Sequence, residues 1–474
     1  MEQVGSAAKA RIKNMDKLLS TGDGENRKVL LEIVTEVLER LDSHRVIGDL
    51  LQWDGRHLSI GEFRWDLQRK RRVFVVGAGK AANAMARAVE EKLGDRIDGG
   101  IVIVKTIEPG DRLECIELAE GGHPLPNERG LEASRRILRL VDEAGPDDLF
   151  LGLISGGSSA LMSCPVPGIS LDDEIRATEV LLKSGARILE INAVRRHISA
   201  TNGGRLAQRV EARGAEMINL ILSDSVGARP TTDPAKPAAF FGTPVAPDGT
   251  TLVNAREVLK KYGLTDRIPQ AIRDYIETED PARETPKTLG PAIHHFVFER
   301  PADACEAAYV AAEKLRLPAV ILTTVLEGES AQAGGFLACV AREVRLNGRP
   351  ASAPCVLIAG GETTTRVDGR GSEGGPSQEL ALGFALEVAD RPGFCIAAID
   401  MDGTDGPTAL AGGMADDRTV SRARALGFNV YESLAGHDSS AVLRALGDEI
   451  VTGNTGTNLC DLNLIYVGPE RTTG

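Results

Sequence analysis

A lysine stands inside a glycine turn at Gly77-Ala78-Gly79-Lys80, after the apolar run VFVV and ahead of the helical segment AANAMARAVEEKL. Read literally, Gly77 to Ala82 is G-x-G-x-x-A, the turn by which a Rossmann fold holds a dinucleotide. Such a fold asks for an acid about 20 residues on, to hold the ribose hydroxyls. Here the next strand candidate, IVIV (101–104), is followed by Lys105 and Thr106. That disfavours NAD and leaves NADP as an alternative. The Lys80 ammonium would lie near the N–H groups of a helix N-terminus, which already attract anions. A fixed positive charge there suits a phosphoryl group better than hydride transfer.

Other polar residues gather at the ends of apolar runs. LFLGLIS runs into Ser155-Gly156-Gly157-Ser158-Ser159, with no large side chain before Leu161. Small residues let the backbone approach a ligand, and the N–H and hydroxyl groups can cradle phosphate or carboxylate oxygens. The same pattern also describes a strand-to-helix turn with capping serines. VRRHISATNGGRLA places Arg195, Arg196 and His197 before a glycine pair and Arg205 after it. Two such arginines could clamp a carboxylate or phosphate, or line a solvated helix face. Asp224, Glu362, Asp400, Asp402 and Asp405 each follow an apolar run. Carboxylates of this kind suit Mg²⁺, which takes one or two of them together with substrate phosphates. Thr455, Thr457 and Asn458 in TGNTGTN are further candidate binding groups, and equally turn formers.

The elements that must position these residues alternate. Short runs rich in Val and Ile (73–76, 101–104, 149–155, 216–224) are separated by amphipathic segments, and the alternation resumes at 319–324, 354–361, 394–403 and 462–468. This implies βαβ units and a mainly parallel sheet. Helical spacing dominates from Asn26 to Leu51. The stretch 227–249 carries five of the 23 prolines and reads as a crossing between domains. The expectation is an α/β protein of two domains, 1–242 Rossmann-like and 243–474, each with a mainly parallel sheet flanked by helices. The net charge of −13 argues against nucleic acid and anionic membrane as partners. Seven single cysteines, without a C-x-x-C pair, disfavour a zinc or redox motif. Without a signal-like apolar segment, cytoplasm is the default.

Taken in order, VGAGKAA, GGHPLPNERG, ISGGSSALM, RRHISATNGGRLA, LSDSVG, GGETTTRVDGRG with SQELALGFAL, DGTDGPT and TGNTGTNLCDL resemble the class II glycerate 2-kinases, whose carboxyl-terminal part is called the MOFRL domain. Eight collinear motifs span Gly77 to Leu462. The resemblance implies ATP with Mg²⁺ and phosphorylation of the 2-hydroxyl of glycerate, with Lys80 as the family's proposed catalytic lysine. It implies nucleotide contacts at Gly77, Gly79, Glu362, Thr363, Thr364 and Asn458, and metal contacts among Asp224, Glu362 and Asp405. The acceptor or its phosphate would meet Ser155 to Ser159, Arg195, Arg196 and Arg370. Asp224 or Asp402 would accept the hydroxyl proton; the sequence leaves that choice open. The partners implied are ATP and a small hydroxy acid, and a homodimer is compatible with the reading.

The chain also departs from the family pattern. Pro376 stands where an arginine is usual, Asn202 where a lysine is usual, and Ala228 and Ala409 where aspartates are usual. Ser158 replaces a glycine and Arg196 a lysine. Arg370, six residues before Pro376, is the candidate substitute for the missing arginine. Removing a charge-assisted hydrogen bond without replacement costs about 1.5–3 kcal/mol. A less anionic hydroxylated acceptor is therefore an alternative to glycerate. An NADP-dependent hydroxypyruvate reductase and a non-catalytic nucleotide-binding protein are the further alternatives.

Overall fold

The computed structural model describes residues 11–226, 244–278, 280–367 and 373–469. The chain forms two compact units. One holds Ser43–Ser223 and the stretch ending at Glu299; the other holds the residues up to Asp42, a short piece beginning at Asp224, and everything from Arg300 onward. The division thus differs from a single cut between 242 and 243, a point that itself lies outside the described residues. Two pairings draw the chain across such a cut. The strand Ile293–Glu299 pairs with the strand ending at Leu222, and the helix Gly24–Arg40 packs on the carboxyl-terminal sheet.

The first unit is built on six parallel strands: β1 (Arg72–Ala78), β2 (Gly99–Val104), β3 (Glu117–Glu120), β4 (Asp148–Ile154), β5 (Glu216–Leu222) and β6 (Ile293–Glu299). Their order is β3-β2-β1-β4-β5-β6, and every pairing is parallel. This is the Rossmann order, in which the winding reverses between the first and fourth strands and opens a crevice beyond their carboxyl ends. The central strands read as apolar runs because both faces are covered: β4 is buried throughout, and β1 from Val73 onward. The helix Glu128–Asp142 starts where Asn127 accepts the N–H of Gly130.

A three-stranded antiparallel sheet, residues 52–66, precedes β1. It anchors itself through Trp65, whose ring meets Phe296 edge-on at 6.0 Å and whose Nε1 donates to Glu216. Burial alone would raise the Glu216 carboxyl. His294, Lys70 and Trp65 override it and hold the group at about 2.

The second unit corrects one expectation. Its strands are β7 (Ala319–Leu326), β8 (Cys355–Gly361), β9 (Phe394–Asp400), β10 (Gly412–Asp416), β11 (Glu449–Ile450) and β12 (Asp461–Val467), in the order β7-β8-β12-β9-β10-β11. Only β7 and β8 pair in parallel, and the remaining pairings are antiparallel. Helical crossovers do make β7, β8 and β9 run the same way. The last strand, β12, then inserts between β8 and β9 in the opposite sense, and β10 returns from β9 by a loop rather than a helix. The sheet is therefore mixed.

The helical stretch expected from Asn26 to Leu51 is two helices, Gly24–Arg40 and Ser43–Leu50, parted where the chain passes from one unit to the other. Leu30, Ile33, Val34, Val37 and Leu38 are buried on the first. Arg27, with no exposed side-chain area, holds it to the second unit through Asp416 at 2.7 Å and Asp448 at 2.6 Å. No helix among the described residues is long and apolar enough to cross a membrane.

Candidate active site

In the first unit the two turns at the winding reversal meet. The N–H of Lys80 donates to the carbonyl of Gly156 at 2.9 Å, and the N–H of Ala81 to Ser155 Oγ at 3.1 Å. Gly79 is the residue that permits this. Its φ is +149°, and a Cβ there would stand 2.0 Å from Ser155 Oγ and 2.8 Å from the Ser155 backbone. Gly77 serves the sheet instead: a Cβ there would strike the Leu153 carbonyl at 2.2 Å, so it secures the approach of β1 to β4. Gly157, at φ +85°, turns the chain into the short helix Ser158–Leu161. Lys80 and Ser155–Ser159 are thus brought together.

His123 joins them, although sequence reasoning did not single it out. A Cβ on Gly157 would lie 3.0 Å from His123 Cδ2, 3.3 Å from its Nε2 and 3.5 Å from Lys80 Cγ. The only sequence signal was its place in GGHPLPN, just past β3, whose pattern ELAE is too short and polar to announce a buried strand.

Arg195 and Arg196 divide their tasks. Arg195 is buried, and its Nε and Nη2 find no hydrogen-bond partner. Burial lowers its guanidinium, Glu174 opposes that shift, and Arg196 adds to it. A buried cation with open N–H groups suits an anion such as a carboxylate. Arg196 instead pairs with Asp248 at 3.1 Å. His197 bonds to the Ala193 carbonyl and to Glu284, fixing the loop. Asn202, where a lysine is usual in the family, donates to the carbonyl of Ser159 at 3.1 Å and braces the glycine-serine turn.

In the second unit, the antiparallel insertion of β12 brings its first residue beside the last residues of β8 and β9: Asp461 registers with Gly361 on one side and Asp400 on the other. Glu362, Asp400, Asp402 and Asp461 therefore converge. Asp224 reaches the same end, accepting from Asn458 Nδ2 at 3.3 Å, while its carbonyl accepts from Cys460 Sγ. Burial pushes the Asp461 carboxyl well up, and the neighbouring Asp405 and Glu362 add to it.

Several predicted residues are engaged structurally. Asp405 accepts the N–H groups of Ser377 and Gln378 and the Gln378 side-chain amide, so both its oxygens serve the start of the helix Pro376–Val388. Burial raises its carboxyl to about 6 despite these donors. Pro376 occupies the first position of that helix, where a missing N–H costs nothing. Thr363 Oγ1 accepts from Ser330 and Thr364 Oγ1 donates to Gly328, so both hydroxyls hold the loop. Asp402 Oδ1 accepts from the N–H and hydroxyl of Thr404. Arg370 and Ala228 lie outside the described residues, and Ala409 is exposed.

Among the described residues no group of three His, Cys, Asp or Glu could hold a metal ion unaided. One or two carboxylates completed by substrate phosphates remain a donor set that suits Mg²⁺.

Comparison with known proteins gives two family matches: Domain of unknown function (DUF4147) over residues 29–277 and MOFRL family over residues 355–461. The chain is 36% identical to a glycerate 2-kinase of Pyrococcus horikoshii, over 94% of this chain and 98% of that one. It is 37% identical to a D-glycerate 2-kinase of Thermotoga maritima, over 92% and 97%. A crystal structure of a glycerate kinase from Thermotoga maritima matches with a TM-score of 0.76 at 35% identity, covering 93% of this chain and 99% of that one.

Proposed function

Since the chain belongs to the DUF4147/MOFRL glycerate kinase family, we propose that it transfers the terminal phosphoryl group of ATP, with Mg²⁺, to the 2-hydroxyl of glycerate. The observation that carries this reading is Lys80, set at the reversal of the parallel sheet in a turn fastened to the glycine-serine loop.

Phosphoryl transfer asks for positioning and charge neutralisation more than for covalent help. The Lys80 ammonium supplies a fixed positive charge for the phosphoryl oxygens. The turn beginning at Ser155 presents N–H and hydroxyl groups to the same anion. Arg195, buried with open donors, is suited to the acceptor carboxylate. Asp224 or Asp402 would take the proton of the attacking hydroxyl. Mg²⁺, when bound, would spread the negative charge of the phosphates, and Asp224 and Glu362 are the residues that would hold it.

A second reading has one observation in its favour: the strand order and the G-x-G-x-x-A turn are those of a dinucleotide fold. Against it, Lys105 rather than an acid follows β2. NADPH binding would separate the two.

The test is phosphorus NMR of the purified protein with Mg-ATP and D-glycerate, beside larger sugar acids, hydroxyketones and alcohols. A 2-phosphoglycerate signal that disappears in Lys80→Met is the expected result. Product from another acceptor alone would replace glycerate with that substrate. ATP binding without turnover on any acceptor would overturn the kinase reading.

A further inference from the structure

β7 reads Ala-Val-Ile-Leu-Thr-Thr-Val-Leu, eight residues without a charge or a proline. Such a strand belongs in a sheet interior by composition, yet among the described residues it lies at the edge and is paired on one side only, with β8. Its neighbours further in, β8, β12 and β10, are buried throughout, whereas every residue of β7 is partly exposed. Val320, Leu322 and Leu326 pack on the core cluster beneath, so the strand is anchored while no described strand pairs with its outer edge. The opposite edge of the sheet is blunted by β11, which is two residues long. Edge strands are ordinarily guarded by shortness, proline or lysine, because their unpaired N–H and C=O groups template another strand. β7 has none of these, only register shifts toward β8.

The flanks indicate what fits. Exposed Arg316 precedes the strand and exposed Glu327 follows it. A copy of the same strand running antiparallel brings the arginine end of one against the glutamate end of the other, at both ends of the pairing. A parallel copy would set arginine beside arginine. Two-fold symmetry makes every such pair occur twice. Val325, 49% exposed, adds apolar area on the strand itself.

We propose that β7 is a dimerisation edge, pairing antiparallel with β7 of a second copy of this chain and joining the two six-stranded sheets into one. The test is the solution mass of the full chain by sedimentation equilibrium at micromolar concentration, with amide hydrogen exchange along β7. A dimer with protected β7 amides is expected. Val325→Lys should weaken association by roughly tenfold or more and restore exchange in β7. Arg316→Glu should weaken it as well, and Arg316→Glu with Glu327→Arg should recover it. The proposal is overturned by a monomer at all concentrations, or by a dimer indifferent to Val325→Lys and to the charge exchange. It is equally overturned if β7 is protected in a monomer and loses that protection when residues 1–10 are removed, which would make the chain's own terminus the occupant.

Discussion

The main-chain N–H of Lys80 donates to the carbonyl of Gly156 at 2.9 Å, so the turn bearing the lysine and the turn bearing the serines form one framework. The lysine is aimed by that framework rather than by its own helix alone.

Gly79 is the weak point of this arrangement. Gly79→Ala must place a methyl on Ser155 from a backbone at φ +149°. Strain and overpacking together should cost about 3 kcal/mol and most of the turnover. Adding Ser155→Gly should recover only part of the loss, because the Ser155 backbone itself lies 2.8 Å from the new methyl. Thermal unfolding and kcat/KM on the single and double variants measure both effects.

Lys80→Met keeps the aliphatic stem beside Gly157 and removes the charge. The expected outcome is a fall in kcat by about 10²–10³ with the melting temperature unchanged, the size that follows removal of one preorganised electrostatic donor. His123→Ala should lower kcat less than Lys80→Met does.

Asp405 separates a structural from a metal-binding role. Its oxygens are occupied by three N–H donors at the helix start. Asp405→Asn should cost about 2 kcal/mol of stability and leave the Mg²⁺ dependence of turnover in place. Glu362→Gln should raise the Mg²⁺ concentration needed for half-maximal rate. An Asp405→Asn enzyme that demands more Mg²⁺ would return the residue to the metal.

Glu216 gives the first unit a pH signature. Its carboxyl sits at about 2 in the folded protein against an ordinary 4.5. A group with a depressed folded value contributes stability that is present above pH 4.5 and is lost as pH falls through about 2. Glu216→Gln should flatten the decline in that window by about 2 kcal/mol, read from urea unfolding at successive pH values.

Arg27→Met leaves Asp416 buried without its cation and Asp448 with Arg422 alone. Breaking a buried pair on one side costs about 3–5 kcal/mol. The loss should appear in the unfolding of the second unit, as early exchange of β9 and β12 amides.

The first unit was more legible in sequence than the second. An apolar run ending in a glycine turn announces a buried parallel strand, and VFVVGAGK and LFLGLISGG both do so. IHHFVFE conceals β6, because two histidines interrupt its apolar pattern although His295 is buried. The insertion of β12 between β8 and β9 leaves no local trace, since LNLIYVG reads alike in either direction of pairing. Convergence of Asp224, Glu362, Asp400, Asp402 and Asp405 is an expectation from strand ends; β12 draws together the ends that carry Glu362 and Asp400, while Asp405 serves the start of the Pro376 helix. The partners that Thr363, Thr364 and Asp405 have in the structure, Ser330, Gly328 and the Pro376 helix, are set by tertiary packing that no spacing reveals.

The buried pairing of Arg27 with Asp416 and Asp448 also sets an order of events during synthesis. The helix Gly24–Arg40 emerges from the ribosome long before Asp416 and Asp448, the two acids that receive its guanidinium. All six strands of the intervening parallel sheet have been made once Glu299 has emerged. The helix Gly24–Arg40 must meanwhile wait with an apolar face uncovered, open to chaperones, until the strands of the second unit arrive to enclose it.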